Sequence, residues 1–350
     1  MGFDSICESR TLFVCFPGCA ASRVIKKITK ISTAAYVHGV TSVDDELFVL
    51  LGRDDNQVAV YSINDYQLLR HLHVPGLKRH YSNHMTSCVR HKCLYMSDVC
   101  DKCIHRYDLA SSAISKWLLP YKPYGLSLTS SNNLLVTCRK PNKLVELSAD
   151  SGQWVREIAL QSDIVKPFHG AELTTFEFVV CHGAGRHDSV HQVCVVGDDG
   201  KVTRSYGGQR GSDVGQLNCP YHLAVDKDSD SQSIFVAEWG NDRVALLSPT
   251  LEFVRYVREG LSRPYRLYFH HATGRLFVGH EGVTVIPQYS SEPTVPTTTS
   301  IPTTIILPTT SISLPTPIPT TPFSIVSVPT TAVVYSTATY DRSVTTERHS

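Results

Sequence analysis

Apolar positions in this chain come in short runs cut by polar turns, with none of the long three-and-four periodic stripes that helices need. The runs LFVLL at 47–51, LYMSD at 94–98, LLVTC at 134–138, FVVCH at 178–182, IFVAE at 234–238 and LFVGH at 276–280 recur about every 40 to 56 residues. Before each comes another strand-like segment: GVTSV, MTSCV, GLSLT, GAELT, HLAVD and RLYFH. After a polar turn most are followed by an alternating segment such as QVAVYS, CIHRYD, KLVELS, HQVCVVG or RVALLS, and then by a fourth, such as QLLRHLHV, WVREIAL or KVTRSYG. One four-stranded sheet cannot bury both faces by itself, so repeated sheets at this period predict blades stacked around an axis. The expectation is an all-β, six-bladed β-propeller of four-stranded antiparallel blades. The last unit lacks a fourth strand, and a strand near residues 24–32 is expected to fill it and close the ring. TLFVCF would then be an extra strand or the third strand of that blade, and a degenerate seventh blade is the alternative.

From about Pro287 the pattern stops. VPTTTSIPTTIILPTTSISLPTPIPTT and its surroundings carry no Cys and very few charges, and repeated Pro removes backbone donors and fixes φ. The organisation expected is an N-terminal segment over 1–23, a propeller over 24–286, and a disordered Thr/Ser/Pro-rich tail over 287–350. The 42 % apolar content supports a sizeable core, and a net charge of +1 offers no strong field toward nucleic acid or anionic lipid. No run of 18 apolar residues is present to span a bilayer. Acids precede the first apolar run where a signal peptide has basic residues, and Ile6 stands where N-myristoylation needs Ser or Thr. No Asn-x-Ser/Thr acceptor occurs. The expected location is cytoplasmic, with secretion the alternative because the tail is mucin-like.

The segment GGQRGSDVGQLNCPYHLAVDKDSDSQSIFVAEWGNDRVALLSP resembles an NHL repeat, with its Gly-rich lead-in, Pro, Ala-Val-Asp strand, Phe-Val-Ala-acid strand and Asn-x-Arg-Val. LYMSDVCDKCIHRYDL is a weaker copy, with Asp98 at the acid position but Asp101 and Cys103 where Asn and Arg would stand. LLVTCRKPNKLVELS keeps Asn142 and Lys143 and loses the acid. The resemblance covers roughly residues 30–286 and implies the propeller fold. It also implies an interaction module, in the manner of NHL propellers that recruit proteins or choose substrates for ubiquitin transfer. The RING, B-box and coiled coil of tripartite-motif proteins have no counterpart in this sequence, so a ubiquitin-linked role would be that of a substrate receptor. RNA binding, known for some NHL domains, is the alternative, and a metal-dependent lactonase- or lyase-like propeller enzyme is the second alternative.

Within SIFVAEWGNDRV, Glu238, Asn241 and Arg243 are expected to build one turn, because Asn and Gly tolerate left-handed backbone and Arg243 can reach back to the acid. Trp239 is the residue that this turn does not explain. GGQRGSDVG at 207–215 is followed by a strand rather than a helix N-terminus, which makes it a blade connection and not a phosphate loop.

The recurring feature with functional potential is a Pro-aromatic pair ahead of four inner strands: Pro123-Tyr124, Pro167-Phe168, Pro220-Tyr221 and Pro264-Tyr265. These connections share one propeller face with the turns carrying Arg53, Arg139, Lys140, Arg186, His187 and Trp239. Rigid aromatics beside Arg suit a protein or peptide partner, and also stacking on unpaired bases.

No catalytic, metal or cofactor site is expected. Cys100 and Cys103 form one CxxC, with Cys88 and Cys93 upstream, but the second regular pair of a zinc knuckle is missing. His191 and Cys194, three apart in a strand, point to opposite faces and break up the string His182, His187, His191, Cys194. Glu172 and Asp226 on inner strands have no acidic counterparts to complete a carboxylate cage, and GxSxG is absent. The eleven Cys lie largely in strand runs and suit buried, reduced thiols.

Overall fold

A computed structural model of the chain describes residues 28–33, 35–52, 57–78, 80–183, 185, 188–227 and 232–287, all within one compact unit, Met1–Pro293. The 1–23 segment, TLFVCF and the Thr/Ser/Pro-rich stretch after residue 287 lie outside the described residues.

The described residues form six four-stranded antiparallel sheets. Blade 1 follows β1 (Thr29–Ser32) and comprises β2 (Val37–Val43), β3 (Glu46–Leu51), β4 (Gln57–Ser62) and β5 (Leu68–His73). Blade 2 comprises β6 (Met85–Cys88), β7 (Cys93–Asp98), β8 (Cys103–Asp108) and β9 (Ile114–Leu118). Blade 3 runs through β10 (Lys122–Leu128), β11 (Leu134–Arg139), β12 (Lys143–Leu147) and β13 (Trp154–Ala159). Blade 4 holds β14 (His169–Thr174), β15 (Glu177–His182), β16 (His191–Gly197) and β17 (Val202–Gly208). Blade 5 holds β18 (Pro220–Val225), β19 (Ile234–Glu238), β20 (Arg243–Leu247) and β21 (Phe253–Arg258). In blade 6, β22 (Arg266–His270), β23 (Arg275–Gly279) and β24 (Gly282–Ile286) are completed by β1, in the order β1-β24-β23-β22.

The second strands are buried at nearly every position because each sheet is covered on both faces. In β3, Leu47, Val49 and Leu51 pack with Phe277, Val283 and Val285 of blade 6, while Phe48 and Leu50 pack with Met85, Leu94 and Met96 of blade 2. Strand alternation thus sends successive side chains to opposite neighbours. Six such interblade cores complete the circle. The fourth strands, by contrast, are mostly exposed, as in β5. Turns between first and second strands, and between second and third, use left-handed residues that tolerate it, such as Asp44, Asn132 and Asp242. The Gly-rich lead-in ends blade 4 as expected. Gly207 takes φ +91°, and a Cβ there would sit 2.6 Å from the His191 carbonyl.

Ring closure follows the expectation from the missing fourth strand. Thr29 pairs with Val285, Lys30 with Thr284, Ile31 with Val283 and Ser32 with Gly282, and Ile31 is buried in the core between blades 6 and 1. Replacing Ile31 by Ala is expected to cost about 2–4 kcal/mol. Deleting the chain through Ser32 should lower the melting temperature further and drive dimerisation through the uncovered edge of β24. Calorimetry with light scattering checks this: a monomeric deletion protein with an unchanged melting point excludes the closing role.

Candidate functional site at the channel mouth

The four Pro-aromatic pairs stand where the chain enters the inner strands. Pro costs the ladder nothing at a strand start. In blades 3 and 5 the register shifts at Pro123/Gly125 and Pro220/His222, and this bulge turns Tyr124 and Tyr221 out of the ladder. The rings meet in one chain of contacts. Centroids are 6.3 Å apart for Tyr124–Phe168, 4.4 Å for Phe168–Tyr221 and 4.9 Å for Tyr221–Tyr265. All four are half-buried. Arg139, at the end of β11, lies between two of them, its Cζ 3.9 Å from the Tyr124 centroid and 3.6 Å from that of Phe168. Its Nε–H donates to the Pro167 carbonyl at 2.7 Å, and burial pulls its pKa down.

Trp239 opens the 3₁₀ turn Trp239–Asn241 and joins the collar, 6.0 Å from Tyr221 and with the Arg263 guanidinium 5.1 Å from its ring. Six of the expected site residues are therefore brought together: Tyr124, Phe168, Tyr221, Tyr265, Trp239 and Arg139. Lys140 is exposed in the turn after Arg139. Arg53, Arg186 and His187 lie outside the described residues. Three residues were not anticipated. Tyr81 is 64 % exposed, stacks on His80 at 4.3 Å and accepts the Tyr265 hydroxyl through its carbonyl at 2.7 Å. Arg263 covers Trp239. Arg266, directly after Pro264-Tyr265, is buried and donates to the carbonyls of His38 (2.7 Å), Tyr265 (3.1 Å) and Asn83 (2.9 Å), tying blades 6, 1 and 2 together.

The position after each aromatic holds Gly125, His169, His222 and Arg266, and of these His169 and His222 line the channel cavity, as does His84 just ahead of β6 in blade 2. His84, His169 and His222 thereby converge, with one ring nitrogen of each within 4.8 Å of the others. They cap a cavity of about 460 Å³ that runs past Thr41, Ser87 and Ser127 toward the turns at Ser130, Lys227 and His271. The Leu126 N–H donates to His84 Nδ1 at 3.0 Å, the Leu267 N–H reaches His222 Nδ1 at 3.3 Å, and the two Nε2 atoms are 2.7 Å apart. His169 stacks on His222 at 3.8 Å and bonds the Leu126 carbonyl through Nε2 at 3.1 Å. Burial holds His169 down at about 3 and depresses His84 and His222 strongly, with the Arg266 charge adding to each. The trio is a neutral imidazole network. The separation of 2.7 Å is shorter than the edge of a zinc tetrahedron, about 3.4 Å for bonds near 2.1 Å.

The remaining sequence candidates resolve into architecture. Arg243 grips the Glu238 carboxylate at 2.9 and 3.3 Å, and the Asn241 amide donates to it at 2.6 Å. Glu172 accepts from Lys227 at 2.9 Å and the Ser130 N–H at 2.5 Å, and Asp226 lies 3.7 Å from His271. His182 bonds Gln192, His191 bonds the Asp188 carbonyl, and Cys194 packs in the core between blades 3 and 4. Of the eight described cysteines all but Cys100 are buried.

No family model matches the chain, and no curated protein matches it in sequence. Among solved structures, a catalytically inactive virginiamycin B lyase from Staphylococcus aureus with quinupristin aligns at 12 % identity and a TM-score of 0.53, over 75 % of this chain and 99 % of that one. The β-propeller domain of Cps50 (Swd1) from Myceliophteria thermophila aligns at 12 % identity and a TM-score of 0.51, over 76 % and 92 %. The chain is a six-bladed β-propeller of four-stranded antiparallel sheets. At this identity the likeness concerns the fold, which hosts both enzymes and interaction modules.

Proposed function

We propose that the propeller is a non-catalytic interaction module that binds a protein or peptide segment on its channel-mouth face. The observation that carries this is the continuous half-exposed array of Tyr124, Phe168, Tyr221 and Tyr265 from four different blades, with Arg139 packed into it and Trp239 at its edge. Aromatic rings fixed by their neighbours lose little freedom on binding, and Arg and Trp are the residues that carry interface energy. The NHL-like segment 207–249 supports the same reading, since it contributes Tyr221 and Trp239. The near-neutral charge favours a polypeptide over RNA, whose affinity depends on phosphate neutralisation.

Selection of a displayed random-peptide library on the purified chain tests this. Peptides so obtained should lose at least about tenfold in affinity, roughly 1.4 kcal/mol, for Tyr81→Ala and for Trp239→Ala, with melting temperatures unchanged. Peptides that bind both variants as well as the parent place the partner elsewhere. Tighter binding of single-stranded RNA competed by salt favours the nucleic-acid alternative.

A further inference from the structure

In blade 5 the buried acid Glu238 at the end of β19 pairs in register with Arg243 at the start of β20. Blade 2 has the same arrangement with one exchange: Asp98 at the end of β7 pairs in register with Cys103 at the start of β8. The guanidinium that neutralises the carboxylate in blade 5 is thus replaced by a thiol. Two residues on, and so on the same side of β8, His105 brings its imidazole to the same point.

His105 Nε2 lies 3.6 Å from Asp98 Oδ2 and 3.6 Å from Cys103 Sγ, and the three donor atoms all fall within 4.8 Å of one another. Exposure is 0 % for Asp98, 0 % for Cys103 and 2 % for His105. The carboxylate is oriented by backbone N–H groups, from Lys78 at 2.7 Å on Oδ2 and from Cys100 at 3.0 Å and Asp101 at 2.9 Å on Oδ1. The nearby ammonium groups of Lys78 and Lys116 go to Asp101, at 2.5 and 2.8 Å. Among the described residues the only ion-pair partner of Asp98 is His105, and His105 Nδ1 is buried with no partner.

We propose that Asp98, Cys103 and His105 bind one divalent transition-metal ion of the zinc class. A tetrahedral ion with bonds of about 2.0–2.1 Å to nitrogen and oxygen and about 2.3 Å to sulfur has edges of about 3.4–3.6 Å, close to the 3.6 Å from His105 Nε2 to each of Asp98 Oδ2 and Cys103 Sγ. Thiolate, carboxylate and imidazole together select zinc or cobalt over magnesium or calcium, which take oxygen donors. One thiolate, one carboxylate and a dication sum to a neutral cluster, so the ion fills the place that Arg243 fills in blade 5. The thiol proton of Cys103 is released on binding. Because uptake displaces that proton, it strengthens as pH rises. The site takes Cys103 of the CxxC without Cys100, and shares no residue with the three channel histidines.

The test uses the full chain stripped with a chelator and then titrated with Co²⁺ and with Zn²⁺. One equivalent of Co²⁺ should produce the near-ultraviolet thiolate-to-cobalt absorption band. One equivalent of Zn²⁺ should bleach it and raise the melting temperature. Cys103→Ser, nearly isosteric, should abolish the band, and His105→Ala should weaken binding by at least about 100-fold. His84→Ala should leave both readouts as they are. Absence of the band in the unsubstituted chain overturns the proposal whatever the variants do, and so does a band that survives Cys103→Ser or that is lost in His84→Ala.

Discussion

Lowering the pH from 7 to 4.5 is expected to destabilise the propeller steeply, through the three imidazoles at the centre of the ring. Each is neutral in the folded state and takes up a proton near pH 6.5 once the chain unfolds. The unfolded state therefore binds more protons, so stability is intact above about pH 6.5 and declines as the pH falls below it. His169, held at about 3 by burial, alone accounts for about 1.4 kcal/mol lost per pH unit, or about 2.7 kcal/mol at pH 4.5. His84 and His222, depressed by burial, Arg266 and His169, act in the same direction. Carboxylates that are ion-paired in the fold, such as Asp101 at about 2, add their losses only at lower pH. Urea denaturation at pH 7, 5.5 and 4.5 reads the slope. His169→Gln, which keeps a donor for the Leu126 carbonyl and cannot titrate, should flatten it by about one proton's worth. Identical slopes for parent and variant would remove His169 from the account.

The second large effect lies in the turn of blade 5. Glu238→Ala is expected to cost about 3–5 kcal/mol, because Arg243 is 7 % exposed and would be left as an unpaired buried cation. Arg243→Met should cost less. Glu238 already has its pKa raised by burial and can take a proton, and the methionine retains apolar contact with Tyr256, over which the guanidinium lies at 3.9 Å. The double change Glu238→Ala with Arg243→Met should recover part of the loss, since it leaves no unpaired buried charge. Chemical denaturation of the three variants at pH 7 gives the coupling directly, and strictly additive costs would exclude the pairing as the cause.

Six blades, their strand order and the closing strand were legible because each rests on local signals that repeat: Gly, Asn and Asp at turns, and doubly buried second strands that read as unbroken apolar runs. The collar was legible for the same reason, since Pro-aromatic pairs recur at one place in the repeat. What escaped is what depends on closing the circle. His84, His169 and His222 meet only because three blades bring the same inner-strand position to the axis, and nothing in their spacing along the chain shows it. The available signal was the residue after the aromatic, His in two blades and Arg266 in another. In blade 2 the CxxC spacing directed attention to Cys100, which is exposed, while the true neighbours of Cys103 are Asp98 across the ladder and His105 two residues on. Tyr81 belongs to the long connection before β6, where no Pro-aromatic pair marks it.

The way the ring is closed also sets how it would yield under load. β1 and β24 are antiparallel, with Thr29 opposite Val285, so the chain enters and leaves the propeller at the same end of that pair. Tension between residue 28 and residue 287 therefore pulls across the ladder, parting its hydrogen bonds one after another instead of shearing them together. A propeller tethered by its two ends is a latch that opens at low force, and the five blades without a terminal strand stay intact while it does.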